Sequence, residues 1–146
     1  MIDWNNPDDK ISDYFTVREA LWLPTWKRLA NESDGLTDDV KTNLVDLFDR
    51  MDHVRDVVGP IIVHVAFRPE TYNKLIGGAP NSAHKYGKAV DFHCVQHGVL
   101  EMKEEIIKAN LLDTLQMRME SITATPTWCH LDTNELLPGH SRIFVP

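Results

Sequence analysis

The sequence has few of the features that mark secreted, membrane-bound or disulfide-rich proteins. Only two cysteines, Cys94 and Cys129, occur in 146 residues, which excludes a disulfide framework and fits a reducing compartment. No apolar run approaches the length of a membrane span, and the N-terminal stretch MIDWNNPDDK has neither the basic start nor the apolar segment of a signal peptide. We therefore expect a protein that is made and folded in a cytoplasm and carries no membrane anchor.

Positive charge is also scarce. Lysine and arginine number 15 against 22 aspartates and glutamates, which gives a net charge of -7 at pH 7. The acidic residues are interspersed along the chain, so we expect them to serve solubility, and we expect neither a nucleic-acid nor a membrane partner. The length fits one domain, residues 1–146, and requires no internal repeat. We expect the domain to begin with an irregular arm over residues 1–14.

Four segments combine capping residues with helical apolar spacing. The predicted helices begin near Thr16, Thr37, Glu70 and Val99. The second is the clearest, and Gly59 followed by Pro60 ends it. Its apolar residues at helical spacing are Val40, Leu44, Leu47, Phe48, Met51, Val54 and Val58. We expect this stripe to face the core, because an amphipathic helix normally buries its apolar side.

Four further runs alternate apolar and polar residues, as strands with one buried face do. They cover residues 61–68, 89–94, 115–120 and 128–132. Because alternate side chains of a strand point to opposite faces, parity assigns both cysteines and Val65 to the apolar face. The polar face then carries His64, Arg68, Asp91, His93, Arg118, Glu120, His130 and Asp132. A merely solvated face would more usually hold Lys, Thr, Ser and Glu, so this set indicates a functional site.

Two histidines and one aspartate stand out among the polar residues. His84 and Asp91 lie seven residues apart in the stretch SAHKYGKAVD, and His130 lies in the stretch WCHLD. Each one alone is an ordinary turn, strand or core residue. Together they offer two imidazoles and one carboxylate, which is the ligand set of a catalytic Zn²⁺ ion with one open position. We therefore predict an α+β fold in which a central antiparallel sheet has helices packed on one face and a zinc site in a groove on the other.

Several motifs occur together in a characteristic order. They are Phe67-Arg68-Pro69-Glu70, Asn73, Gly77-Gly78, Ser82-Ala83-His84 with Asp91, and Trp128-Cys129-His130-Leu131-Asp132. This pattern resembles the zinc D-alanyl-D-alanine carboxypeptidase family, which includes phage L-alanyl-D-glutamate endolysins. The resemblance extends from Phe15 to Pro146, and within the family the sequence is most similar to the small phage-encoded branch. The hedgehog signalling domain and the dipeptidases of vancomycin resistance share the fold.

The resemblance implies a role for each of these residues. His84, Asp91 and His130 would hold Zn²⁺, Arg68 would bind a carboxylate of the peptide substrate, and Ser82 would help to position it. The implied function is cleavage of the peptide stems of bacterial peptidoglycan, as a carboxypeptidase or an endopeptidase. A phage endolysin or a virion-associated enzyme would act from the host cytoplasm on the periplasm and cell wall, or from the virion, with virion proteins as further partners.

One position departs from the family pattern. Members commonly carry a carboxylate three residues before the last histidine as general base, whereas this chain has Thr127 there. Threonine does not take a proton from water at neutral pH. We predict that Glu120 is the catalytic base, with Asp132 as the second choice, although Asp132 also suits a partner that orients a ligand imidazole.

Two other interpretations remain open, and Thr127 motivates the first of them. The chain would be a catalytically inactive, zinc-stabilised structural or peptide-binding virion protein with the same fold if no acid replaces the missing carboxylate. It would be an acidic binding module without metal if the three ligands do not meet. Loss of cleavage in a Glu120→Gln variant that keeps its zinc separates the enzyme from the first alternative, and insensitivity of the fold to chelators would support the second.

Overall fold

A computed structural model of residues 1–146 has the predicted α+β fold. The helices are α1 (Val17–Leu21), α2 (Asp38–Val58), α3 (Glu70–Leu75), α4 (Val99–Lys108) and α5 (Leu111–Thr114). The strands are β1 (Trp22–Leu23), β2 (Arg28–Leu29), β3 (Ile61–Val65), β4 (Ala89–Cys94), β5 (Arg118–Glu120), β6 (Cys129–Asp132) and β7 (Ile143–Phe144). None of the helices has the length and apolar character needed to cross a membrane.

The main sheet has five strands in the order β3-β4-β6-β5-β7. The first four strands of that order are antiparallel to their neighbours, as predicted, and β7 is added parallel to β5 at the edge. Strands β1 and β2 form a separate antiparallel pair. Two distant parts of the chain, β4 and β6, therefore lie side by side at the centre of the main sheet.

One face of this sheet packs against the helices. The predicted stripe of α2 is buried throughout, and Met102 and Ile106 of α4 join it in a single apolar core. From the sheet, the core receives Val90, Phe92, Cys94, Met119, Cys129 and Leu131. These are the residues that parity assigned to the apolar side of β4, β5 and β6, so the prediction for these three strands is confirmed. The opposite face is left for polar side chains.

Strand β3 departs from the predicted parity because it contains a β-bulge. Val63 pairs with Phe92, but the next paired residue is Val65, which lies opposite Asp91. His64 is the extra residue, and a bulge of this kind shifts every later side chain to the other face. The prediction that Val65 faces the core with Val63 is therefore wrong. The strand also ends at Val65, short of the predicted Arg68.

Other boundaries differ from the sequence predictions near turns. The first helix ends at Leu21, and the chain continues into the β1–β2 pair where a helix through residue 22 was expected. The third predicted strand begins at Arg118, because the short helix α5 and a left-handed Gln116 (φ 53°) precede it. Strand β7 has no counterpart among the predicted elements. Its two residues are too few for a recognisable alternation.

A glycine allows the turn that contains His84 to pack closely against the longest helix, α2. Gly87 ends the 3₁₀ turn Ala83–Tyr86 in the left-handed region, at φ 71°. A Cβ atom at this position would lie 2.8 Å from the Val40 carbonyl oxygen and 3.0 Å from Leu44 Cγ, both in α2. Close packing of the turn against α2 therefore depends on the missing side chain.

We expect Gly87→Ala to lower the free energy of unfolding by about 2–4 kcal/mol, because left-handed strain and the clash with α2 add. Gly77 is a matched control, since its φ of 75° is similar and an added Cβ would meet nothing within 4 Å. Gly77→Ala should cost only the strain, about 1–2 kcal/mol. Urea unfolding of both variants measures the difference. Equal losses would contradict the proposed contact between the turn and α2.

Candidate metal centre

The structure brings the three predicted ligands together from separate elements. His84 lies on the 3₁₀ turn Ala83–Tyr86, Asp91 on β4 and His130 on β6, where it is directly opposite Asp91 in the register. Asp91 Oδ1 lies 3.2 Å from His84 Nε2 and 2.8 Å from His130 Nδ1. Both histidines are buried, and Asp91 is partly buried. The three ligand atoms all lie within 4.8 Å of one another, so that a single cation can contact them together.

A hydrogen bond to a backbone carbonyl fixes the orientation of the His84 imidazole. Its Nδ1 donates a hydrogen bond of 2.7 Å to the carbonyl oxygen of Ala66, which leaves Nε2 to face Asp91. Ser82 begins the turn, and its Oγ accepts a bond of 3.2 Å from the His84 backbone N–H. A carbonyl partner of this kind holds a ligand imidazole in the tautomer that presents its other nitrogen to a metal.

His130 is fixed by a carboxylate. Its Nε2 donates to Asp132 Oδ2 at 3.0 Å, and so Nδ1 is the nitrogen that faces Asp91. Asp132 in turn accepts two bonds from Arg118, from Nε at 2.8 Å and from a terminal nitrogen at 3.0 Å. Both oxygens of the Asp132 carboxylate are thus engaged. These bonds give Asp132 the contacts of a partner that orients His130, which is the alternative to the base that the sequence left open.

The charges of the centre reinforce one another. Burial of Asp91 opposes its ionisation, but the nearby imidazoles outweigh this effect and hold the pKa of Asp91 well below its usual range. Burial likewise opposes a charge on His130, yet its hydrogen bonds to Asp132 and Asp91 raise the pKa of this imidazole to about 9. The centre therefore favours positive charge between its carboxylates, which a divalent cation would supply as well.

These residues fit a zinc ion. Two imidazole nitrogens and one carboxylate oxygen are the donors that zinc takes in catalytic sites, and both imidazoles have the outer hydrogen-bond partners that such ligands usually have. Asp91 is ionised, as a ligand must be. Cys94 and Cys129, which lie close in sequence to Asp91 and His130, are buried in the core on the opposite side of the sheet, as predicted.

The centre opens into a pocket of about 390 Å³. The predicted substrate-binding residue Arg68 lies in its wall and donates a bond of 3.1 Å to Ser82 Oγ. Arg68 forms no ion pair, and its buried Nε has no hydrogen-bond partner. Burial lowers the pKa of this guanidinium, and the nearby Asp91, Tyr72 and Glu120 offset the effect only in part. The pocket therefore contains an arginine free to bind an anion, with Ser82 holding it in place.

Three side-chain carboxylates line the pocket, and only one of them accepts no hydrogen bond. Asp91 faces the ligand imidazoles, and Asp132 is held by Arg118. Glu120 makes no hydrogen bond, and its Oε1 lies 3.9 Å from His130 Nδ1. Thr127 is exposed and does not line the pocket. The structure therefore places Glu120 next to the ligands and leaves its oxygens available.

Not every residue of the polar face reaches the pocket, and some pocket residues were not predicted. His93 bonds to His64, with 2.6 Å between their nitrogens, and lies outside the pocket. Phe144 and Pro146 form part of the pocket wall, although neither was among the predicted site residues. The only signal was the apolar character of the chain's last residues, and it does not indicate their register beside β5.

Comparison with known proteins identifies the family. A family model described as peptidase M15 matches residues 24–132, well over half of the chain. The chain therefore belongs to the peptidase M15 family, whose members are zinc-dependent peptidases, and the resemblance inferred from the sequence motifs is confirmed at this level. The matched segment contains all three predicted ligands and ends at Asp132, before β7. No curated protein matches the chain.

Proposed function

We propose that this member of the peptidase M15 family is a zinc-dependent hydrolase that cleaves the peptide stems of bacterial peptidoglycan. The observation that carries the proposal is the convergence of His84, Asp91 and His130 at a pocket that also holds Glu120 and Arg68. These residues supply a metal centre, a proton acceptor and an anion-binding group within one cavity. Such a combination suits hydrolysis of a peptide that carries a carboxylate.

Each residue of the site has a separate role in the proposed reaction. Zinc held by the three ligands would polarise the scissile carbonyl and lower the pKa of a water molecule. Glu120 takes the proton of the attacking water and returns it to the leaving amine, because it is the pocket carboxylate without another partner. Asp132 keeps His130 in the ligand orientation, and Ala66 does the same for His84.

Arg68 selects the substrate in this proposal. A planar guanidinium binds a carboxylate through two parallel hydrogen bonds, and Arg68 is partly buried, unpaired and steadied by Ser82. Its position in the wall of the same pocket as the metal ligands allows it to hold a stem-peptide carboxylate while the adjacent amide bond meets the centre. Ser82 acts mainly through Arg68 and the backbone of His84.

We expect Arg68→Lys to lower kcat/KM for stem peptides by about 10–100-fold, because the point charge of lysine replaces two directed hydrogen bonds. Steady-state kinetics with soluble stem peptides measure the effect, and zinc content should not change. Arg18→Lys is a suitable control, since Arg18 is an exposed arginine outside the pocket. Unchanged kcat/KM in Arg68→Lys would remove Arg68 from substrate binding.

Digestion of purified peptidoglycan tests the proposed reaction. The zinc-loaded protein should release D-alanine if it is a carboxypeptidase, or stem fragments with a new amino terminus if it is an endopeptidase, and mass spectrometry distinguishes these products. Activity inside the wall of a host cell would fit a phage endolysin or a virion-associated enzyme. A zinc-loaded protein that cleaves no wall type would reject the enzymatic proposal.

Thr127 supports a second candidate function. Without a carboxylate at this position, the fold would serve as a zinc-stabilised structural or peptide-binding protein, with virion proteins as partners, if Glu120 does not act as a base. The pocket would then bind a peptide carboxylate at Arg68 and release it unchanged. Calorimetry with stem peptides would show binding without heat from hydrolysis.

A further inference from the structure

The C-terminal strand closes one side of the pocket. β7 pairs with β5 through backbone bonds of 2.8 Å, from Met119 N–H to the Arg142 carbonyl and from Ser121 N–H to the Phe144 carbonyl. In this register Phe144 lies opposite Glu120. The Phe144 side chain lines the pocket next to the metal ligands. A segment outside the family match therefore contributes to the site.

Phe144 contacts the residues that orient His130. The guanidinium carbon of Arg118 lies 4.2 Å from the centre of the Phe144 ring. The same guanidinium makes the two bonds to Asp132, whose side chain is only 1% exposed. Asp132 then accepts the bond from His130 Nε2. The edge-on ring of Phe144 also lies 6.1 Å from the His130 ring, centre to centre. One continuous set of contacts thus leads from β7 to a metal ligand.

We propose that Phe144 and Arg118 are positioning residues that set the metal affinity of the centre by fixing His130 through Asp132. This inference rests on the proposed zinc centre and concerns two residues that line the pocket but are not metal ligands. Its basis is that each contact has a defined geometry and that Arg118 is the one side chain besides His130 that bonds to the Asp132 carboxylate. The backbone N–H of Asn134 adds a single longer bond of 3.2 Å to Asp132 Oδ1.

The physical argument begins with the buried carboxylate. Asp132 is desolvated, so its charge needs paired donors, and Arg118 supplies two in the fixed fork of a guanidinium. The Phe144 ring covers one face of this guanidinium and attracts it by a cation–π contact. The Arg118 side chain is already 22% exposed, and without the ring more of its guanidinium would be open to water. Arg118 would then gain freedom to turn toward Glu120 in the same pocket. The imidazole of His130 would then lose the defined direction of Nδ1.

Arg118→Lys tests the first part of the inference. The variant keeps the charge and loses the double hydrogen bond, and we expect zinc to bind about 10–100-fold more weakly, the usual effect of changing an outer partner of a ligand. Competition with a chromophoric chelator measures the affinity. Arg142→Lys is the matched control, because Arg142 also pairs with an aspartate, Asp113, at an exposed site outside the pocket. Its zinc affinity should equal that of the wild type.

Phe144 variants test the second part and remain informative if Arg118→Lys does not fold. We expect Phe144→Leu, which keeps apolar volume and loses the ring, to weaken zinc binding by about threefold to tenfold. Phe144→Tyr keeps an aromatic ring, and its zinc affinity should equal that of the wild type. Val145→Ala is the control, since the neighbouring Val145 is 80% exposed. The absorption spectrum of the Co²⁺-substituted protein reports the ligand geometry, and it should change in Phe144→Leu but not in Val145→Ala.

The two proposals fail in different ways. If the wild type binds zinc and both Arg118→Lys and Phe144→Leu bind it as tightly with unchanged Co²⁺ spectra, the positioning role is overturned and the zinc centre stands. If the wild type takes up no zinc, the centre itself is rejected together with this inference. Weaker binding in both variants, with wild-type affinity in Arg142→Lys and Val145→Ala, supports the positioning role.

Discussion

Replacing Glu120 with glutamine should lower kcat for stem-peptide cleavage by about 10²–10⁴-fold, the usual contribution of a positioned general base. The substitution changes one oxygen to an amide nitrogen and leaves the volume almost unchanged. Because Glu120 makes no hydrogen bond, the fold and the metal ligands should not be disturbed. Zinc content and the melting temperature should therefore remain at wild-type levels. Single-turnover kinetics on a defined stem peptide measure the loss.

Glu104→Gln is the matched control for this variant. Glu104 is exposed on α4, and its neutralisation makes the same change in net charge. Cleavage by Glu104→Gln should equal that of the wild type. Wild-type kcat in Glu120→Gln would remove Glu120 from the mechanism. Loss of cleavage accompanied by loss of zinc would show that Glu120 acts on the metal centre and not as the base.

Asp91→Asn should abolish both zinc binding and cleavage. Asp91 Oδ1 is the atom that both imidazoles face, and it lies within hydrogen-bond distance of each of them. The two other carboxylates of the centre differ in this respect, because Asp132 is bound by Arg118 and Glu120 lies 3.9 Å from His130 Nδ1. An amide keeps the shape and loses the charge. We expect zinc affinity to fall by more than the roughly 100-fold that accompanies changes in outer partners of a ligand. Elemental analysis and chelator competition measure it.

A variant with the same change in net charge separates this effect from a general electrostatic one. Asp13 is exposed and lies outside the pocket, so Asp13→Asn should bind zinc as the wild type does. Circular dichroism should show that Asp91→Asn is folded at the temperature of the titration. Folded Asp91→Asn with wild-type zinc affinity would exclude Asp91 from the ligand set.

The sequence was sufficient for the parts of the site that lie on regular strands. Alternation put Asp91, His130 and Glu120 on one face, and the observed register brings Asp91 opposite His130 because the apolar residues of β4, β5 and β6 all seek the same core. His84 needed a different signal. It lies on a turn, and its place followed from the spacing to Asp91 and from the family resemblance.

Features that depend on tertiary contacts were not predictable in this way. The bulge at His64 moves the side chain of Val65 to the other face of the sheet, and nothing in the alternating pattern of the sequence indicates it. Strand β7 exists because its backbone completes the edge of β5, and two residues carry too little periodicity to show it. The different surroundings of Glu120 and Asp132 also needed coordinates, since they depend on Arg118 reaching one carboxylate and not the other.

Zinc titration of the purified chain and of His84→Ala tests the central claim most directly, with His53→Ala as the control, because His53 is exposed on α2. The wild type and His53→Ala should each bind about one zinc ion per chain, as expected for a centre with three protein ligands. Folded His84→Ala should retain none after dialysis against a weak chelator. Wild-type zinc content in His84→Ala would contradict the account.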